Sequence, residues 1–187
     1  MMVLVIGGSG DLGAPVAEQL RGDGFKVRLL VRNRGGVLAS DSDFKYVHGD
    51  IEDSASLQSA LAGCDAVHVS VRGGPTAEQF DRVEHRGTAR VAQLAAREGV
   101  QRLSYVSHSL AASDAAAPDL RAKFHAEQAI AASGVPYTIF PTHILHGDPA
   151  AANQGPPRGS PGPPAPPISL PRCRRLRAHG RSKSEHS

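Results

Sequence analysis

Close to its N-terminus the sequence reads Val-Leu-Val-Ile-Gly-Gly-Ser-Gly-Asp-Leu-Gly over residues 3–13. Its four leading apolar residues, three of them β-branched, are typical of a strand buried on both faces of a sheet. In the turn that follows, Gly7, Gly10 and Gly13 have the GxxGxxG spacing. Gly8 together with the last two gives the GxGxxG spacing as well. The stretch predicts a strand, a tight turn and the start of a helix.

A turn of this kind suits a pyrophosphate group. Glycines leave room for the backbone to approach the phosphates, and the last glycine lets the helix pack closely on the strand. The helix N-terminus adds unpaired N–H groups and the positive end of its dipole. A flexible glycine loop without a ligand is the alternative, but the position at the first strand–helix turn favours a dinucleotide. The predicted pyrophosphate-binding residues are Gly7, Gly8, Ser9, Gly10, Asp11, Leu12 and Gly13.

Short β-branched runs alternate with stretches rich in Ala, Leu, Glu and Gln, which is typical of βαβ units in a parallel sheet. The fold class predicted from this alternation is α/β, a Rossmann-type doubly wound parallel sheet. Ser54 is the predicted N-cap of the second helix, Gly63 its stop, and Pro118 belongs to the first turn of the last helix. Strands are predicted near residues 2–6, 26–31, 44–48, 65–71, 101–106 and 137–140. Helices are predicted near residues 11–22, 54–62, 76–98 and 118–132.

Composition divides the chain near residue 150. Residues 1–150 carry 14 Lys and Arg against 17 Asp and Glu, whereas residues 151–187 carry seven against one. Eight of the 14 prolines lie in residues 155–171. We therefore expect an NAD(P)-binding domain over 1–150 and a disordered Pro/Arg-rich tail over 151–187. The basic charge belongs to that tail, which lacks aromatic interleaving and a groove-binding motif, so a nucleic-acid partner is not expected.

The sequence also predicts a compartment. No apolar run approaches the roughly 20 residues of a membrane span, and we expect neither a membrane segment nor a signal peptide. Cys64 and Cys173 lie far apart without motif partners. These features favour a cytoplasmic protein with reduced cysteines.

The end of the second strand bears on the choice of cofactor. NAD-binding proteins usually place an acid there for the ribose 2′-hydroxyl, but residues 26–34 contain none. Arg32 and Arg34, with Asn33 between them, can hold a 2′-phosphate through charge-assisted contacts. The sequence thus predicts NADP(H) in preference to NAD(H). A solvated loop of arginines is the alternative.

The sequence resembles the NmrA-like, atypical branch of the short-chain dehydrogenase/reductase superfamily. The resemblance covers most of residues 1–145 and rests on the order and spacing of several segments. It implies an NAD(P)-binding Rossmann domain and an NADP(H)-dependent oxidoreductase, either a reductase or a dehydrogenase, with a small-molecule substrate. The matching segments are residues 7–13, 27–32, 49–54, 57–71, 99–107 and 123–141.

The resemblance also implies roles for single residues. Asp50 and Ile51 would flank the adenine, and Ser70 would line the cofactor cleft. Ser107 would lie near the nicotinamide, and Lys123 would reach the nicotinamide ribose, so these two are the catalytic candidates. From the residues alone, the preferred explanation of Lys123 is an exposed helix lysine paired with Glu127 at i,i+4.

The sequence departs from the family pattern in several places. Asp119 stands four residues before Lys123, where catalytically competent members carry a tyrosine. The Arg-Pro pair after the sixth strand is replaced by Phe140-Pro141. We also expect the C-terminal substrate-binding part to be missing, as in a truncated or frame-shifted member of the family. These departures favour a second hypothesis, a non-catalytic NADP(H) sensor that passes redox state to a regulatory protein partner.

Two further arrangements carry less weight. His143 and His146 have no third ligand, so no metal site is predicted. Ser107 and His108 are adjacent on a strand, and adjacent strand residues point to opposite faces. They therefore do not form a nucleophile–base pair.

Overall fold

The structure is a computed structural model that describes residues 1–32 and 44–142. Within these ranges six strands form one parallel sheet in the order β3-β2-β1-β4-β5-β6. The predicted Rossmann-type parallel sheet is confirmed. The strands are β1 Met2–Ile6, β2 Lys26–Val31, β3 Lys45–His48, β4 Ala66–Val69, β5 Arg102–His108 and β6 Tyr137–Thr142.

Helical segments connect the strands. The third predicted helix is interrupted, because residues Asp81–Gly87 adopt π-helical geometry between two α-helical parts. The predicted domain boundary at residues 150 and 151 lies outside the described residues. The helices are α1 Gly13–Gly22, α2 Ser54–Leu61, α3 Ala77–Phe80, α4 Thr88–Arg97 and α5 Pro118–Ala132.

The two faces of the sheet pack against different helices. Alternate residues of a strand face opposite sides, so Leu4 and Ile6 join the core formed with α2, α4 and α5. Val3 and Val5 join the core that contains Ala17 of α1. Burial on both faces explains why β1, in the middle of the sheet, is apolar at every position.

Strand order changes direction at β1. The chain builds β2 and β3 on one side of β1 and then crosses over to place β4 on the other side. Open parallel sheets bind ligands at such a switch point, outside the carboxyl ends of the strands. The glycine turn follows β1 and therefore lies at this point.

Local capping shows one error and two confirmed predictions. Ser54 is not the N-cap of α2; the carboxylate of Asp53 accepts the N–H groups of Ala55 and Ser56 at 3.1 and 3.2 Å. Asp53 precedes the helix in extended conformation, which is the geometry an N-cap needs. Gly63 follows α2 with φ 70°, and Pro118 occupies the first turn of α5, both as predicted.

Candidate functional site

A cavity of about 850 Å³ opens at the carboxyl ends of the strands. Residues from the ends of β1, β2, β4 and β5 line it, together with residues of α5 and the π-helical segment. It therefore spans the switch point between β1 and β4. The sequence-predicted residues in its lining are Gly7, Ser9, Gly10, Asp11, Leu12, Arg32, Ile51, Ser70, Ser107 and Lys123.

The glycine turn is packed so tightly that two of its positions exclude a side chain. Gly7 has φ 88°, and a Cβ there would lie 2.2 Å from the carbonyl oxygen of Ser70. A Cβ on Gly13 would lie 2.1 Å from the carbonyl oxygen of Gly7. Close contact between the turn, α1 and the end of β4 is thus the reason for both glycines.

Gly10 differs from these two glycines. A Cβ at this position would meet only the carbonyl oxygen of Gly7, at 3.4 Å, and would otherwise enter the cavity. A Cβ on Gly8 would instead meet the apolar side chains of Leu29 and Val5, and Gly8 is absent from the lining, as is Gly13. The turn therefore has the open cradle that a phosphate group requires, with Gly10 at its surface.

Arg32 lies at the end of β2 on the rim of the cavity, and its side chain is exposed. It makes no ion pair with any residue in the two described ranges. Asn33 and Arg34 lie outside the described residues. Among the described residues, the charge of Arg32 is therefore available to an anionic ligand.

The loop after β3 contributes Ile51 to the cavity, whereas Asp50 does not line it. The Asp50 carboxylate accepts the N–H of Glu52 at 2.9 Å, and its own N–H donates to Ser56 Oγ at 3.1 Å. The Asp50 side chain therefore stabilises its own turn. Ile51 is 5% exposed and presents an apolar surface.

The end of β5 brings the two catalytic candidates to one wall of the cavity. Ser107 is buried, and its Oγ donates to the Glu127 carboxylate on α5. The Lys123 ammonium lies 3.0 Å from Glu84 Oε2 and 3.5 Å from the carbonyl oxygen of Val106. The alternative prediction of a Lys123–Glu127 pair is wrong, because Lys123 pairs with Glu84 and Glu127 accepts from Ser107.

Glu84 is a site residue that the sequence analysis did not identify. It is fully buried in the π-helical segment and lines the cavity. Its Oε1 accepts the N–H of Gly73 at 2.8 Å. The sequence feature that could have identified Glu84 is its position on the apolar stripe of the helix, in register with Phe80 and Val91. A charged residue on a stripe that faces the core needs a buried partner.

No tyrosine takes the position four residues before Lys123; Asp119 stands there and lines the cavity. Tyr105 lies nearby, with the Lys123 ammonium 5.6 Å from its ring centroid, but it is fully buried and absent from the lining. Burial, together with the negative charges of Glu84 and Glu127, raises the pKa of the Tyr105 hydroxyl. Tyr105 therefore does not replace the absent tyrosine.

None of the helices in residues 1–32 and 44–142 is long and apolar enough to cross a membrane. Within this part of the chain, no group of three or more His, Cys, Asp or Glu side chains is arranged to hold a metal ion. His143 and His146 lie outside it.

Two curated relatives are similar to this chain in sequence. Sterol demethylase protein B of Methylococcus capsulatus is 37% identical over 113 residues, which cover 57% of this chain and 34% of the relative. The (4-alkanoyl-5-oxo-2,5-dihydrofuran-3-yl)methyl phosphate reductase of Streptomyces griseus is 35% identical over 140 residues, which cover 74% of this chain and 46% of the relative. The chain thus spans less than half the length of either relative.

Solved structures share the fold. The triphenylmethane reductase of Citrobacter sp. complexed with NADP(H) has a TM-score of 0.66 at 22% identity, over 78% of this chain and 50% of that one. The Bordetella bronchiseptica enzyme WbmH in complex with NAD+ has a TM-score of 0.64 at 21% identity, over 75% and 55% of the two chains. The two neighbours hold different forms of the dinucleotide.

Residues 7–163 match the family described as NAD(P)H-binding. The match begins at Gly7, the first glycine of the turn, and takes in the β5 and α5 residues on the far wall of the cavity. The chain belongs to the NAD(P)H-binding family.

Proposed function

We propose that the chain is the NADP(H)-binding part of an oxidoreductase of the NmrA-like type, acting in the cytoplasm. The observation that carries the proposal is that one cavity is lined by the glycine turn after β1, by Arg32 after β2, and by Ser107 and Lys123 of β5 and α5. These residues follow the order of the groups in an extended dinucleotide: Arg32 for the adenosine end, the glycine turn for the pyrophosphate, and Lys123 and Ser107 for the nicotinamide end. The reductase names of the Streptomyces and Citrobacter proteins support the same class of reaction.

The residues divide into three groups along the ligand. The backbone around Gly10 holds the pyrophosphate, helped by the N-terminal end of α1. Arg32 holds the ribose 2′-phosphate, while Ile51 packs against the adenine. Lys123 donates hydrogen bonds to the nicotinamide ribose.

A bound dihydronicotinamide supplies a hydride for reduction of a substrate. Ser107 lies where it can orient the nicotinamide end, and its hydroxyl is held by Glu127. Lys123 fixes the ribose and so sets the position of the ring relative to the cavity wall. Asp119 offers no phenolic proton, so any proton for the substrate comes from another group or from water.

Cofactor choice gives the first test. Charge-assisted contacts are worth about 1.5–3 kcal/mol, so the Arg32 contact should make NADPH bind about tenfold tighter than NADH, the equivalent of about 1.4 kcal/mol. Isothermal titration calorimetry of the unmodified protein with each cofactor measures the preference. Arg32→Ala should reduce it sharply.

Arg102→Ala is the matched control, because Arg102 is an exposed arginine at the opposite, amino end of β5. It should leave both affinities unchanged. Equal affinity for NADPH and NADH in the unmodified protein, or an unaltered preference in Arg32→Ala, would remove NADP(H) from the proposal and leave a dinucleotide site without selectivity.

A second candidate function is a non-catalytic NADP(H) sensor with a regulatory protein partner. Asp119 in place of the tyrosine favours it. Assays of NADPH oxidation with a panel of quinones separate the two. Turnover supports the oxidoreductase, whereas tight NADPH binding without turnover by any quinone favours the sensor.

A further inference from the structure

Glu84 connects three parts of the cavity wall. It belongs to the π-helical segment, its Oε2 contacts the Lys123 ammonium of α5 at 3.0 Å, and its Oε1 accepts the Gly73 N–H of the loop after β4 at 2.8 Å. π-Helical turns inside α-helices are rare in proteins, and those that occur are often found at functional sites. The carboxylate is fully buried, so its two contacts are fixed rather than averaged by solvent.

Because Glu84 is buried, its contact with Lys123 matters for the stability of the charge. A buried carboxylate is costly unless it is paired and hydrogen-bonded, and the side chain of Lys123 is only 12% exposed. The pair has no net charge. Lys123 therefore presents N–H donors to a ligand without adding an uncompensated positive charge, in contrast to Arg32.

The loop after β4 is held equally firmly. A Cβ on Gly73 would lie 2.7 Å from Cα of Phe80, and a Cβ on Gly74 would lie 2.3 Å from Oε1 of Gln79. The loop thus packs directly on α3, and the Glu84 contact joins it to the same wall as Lys123. One carboxylate thus contacts both the loop and the lysine.

We infer that Glu84 is a positioning residue for the nicotinamide end of the site: it holds the Lys123 ammonium as a charge-neutral donor that recognises ribose hydroxyls rather than a phosphate. The inference rests on the proposed function, since it assigns Lys123 to the cofactor ribose. Arg32 supplies the charge that recognises phosphate, and the Lys123–Glu84 pair supplies hydroxyl recognition.

A double-mutant cycle tests the inference through NADPH affinity. Glu84→Gln keeps an oxygen for the Gly73 N–H but removes the ion pair, so NADPH should bind about tenfold more weakly. Lys123→Gln should cause a similar loss. The double variant should lose about tenfold rather than the hundredfold of two independent effects. Thermal unfolding of each variant establishes that it is folded.

Arg82→Gln is the matched control. Arg82 lies on the same π-helical segment, and the change breaks its ion pair with Glu52, whose atoms are 2.7 Å apart. That pair is partly exposed, and neither residue lines the cavity. NADPH affinity should be unchanged. A folded Glu84→Gln protein with unaltered affinity, or independent losses in the double variant, overturns the inference and leaves the proposed function standing.

If Glu84→Gln does not fold, ¹⁵N NMR of the unmodified protein decides the question. The Lys123 ammonium hydrogens should exchange slowly with water before any cofactor is added, and their resonance should shift with NADPH. Fast exchange, or a resonance that NADPH leaves unchanged, overturns the inference. Failure of the unmodified protein to bind either NADPH or NADH overturns the proposed function and the inference together.

Discussion

Gly10→Val should abolish dinucleotide binding and leave the fold intact. A Cβ at this position would meet only the Gly7 carbonyl oxygen, at 3.4 Å, so we expect the turn to accommodate valine, while the side chain fills the cradle that the pyrophosphate needs. The backbone of Gly10 also lacks the positive φ that would strain a valine. We expect the affinity for NADPH to fall about a hundredfold or more, the equivalent of about 2.8 kcal/mol. Calorimetry and circular dichroism measure the two halves of this result.

Two other glycines make the comparison sharp. Gly22→Val is the matched control, because a Cβ at Gly22 meets no atom within 4 Å and the residue lies at the far end of α1. It should bind NADPH like the unmodified protein. Gly13→Val should instead lower the free energy of unfolding, since its Cβ would lie 2.1 Å from backbone. Retained NADPH binding in Gly10→Val would contradict the pyrophosphate assignment.

Acid should destabilise the sheet through His68. This histidine of β4 is 5% exposed, its Nδ1 lies 2.8 Å from Ser104 Oγ, and burial lowers its pKa from 6.5 to about 4. Above pH 6.5 the ring is neutral in the folded and unfolded chain alike. Between pH 6.5 and 4 the unfolded chain binds a proton that the folded chain does not. The free energy of unfolding should therefore fall by up to about 3 kcal/mol as the pH drops through this window.

Urea unfolding at pH 7 and at pH 4.5 measures the loss. His68→Gln removes the titrating group and should make the difference between the two pH values smaller by most of that amount. His48→Gln, a change at an exposed histidine at the end of β3, should leave the pH dependence as it is in the unmodified protein. The same pH dependence in His68→Gln and the unmodified protein would show that the loss of stability comes from other groups.

The order of strands and helices was accessible from the sequence because it depends on local pattern. Apolar runs of four to six residues, interrupted by glycine and by helix-forming stretches, specify buried parallel strands wherever they occur. The glycine turn was accessible for the same reason, since its spacing and its place after β1 carry the geometry. Arg32 could be identified as a candidate site residue because it stands at the end of β2.

Two sequence-based predictions of local structure were wrong: the N-cap of the second helix and the uninterrupted third helix. Asp53 and Ser54 are both good N-cap residues, and only the extended backbone of Asp53 decided between them. The π-helical geometry of residues Asp81–Gly87 has no composition that distinguishes it from an α-helix.

The partners of the charged site residues were decided by tertiary structure. Sequence spacing pairs Lys123 with Glu127 on one helix, because i and i+4 are neighbours on any α-helix. In the folded chain β5 lies beside α5, so Ser107 takes Glu127, and the π-helical segment brings Glu84 to Lys123 from 39 residues away. The sequence by itself determined the sheet and its phosphate-binding turn, since those follow from periodicity. Only the packing of the π-helical segment against α5 decided which acid meets the lysine, because burial selects the partner that can replace the lost water.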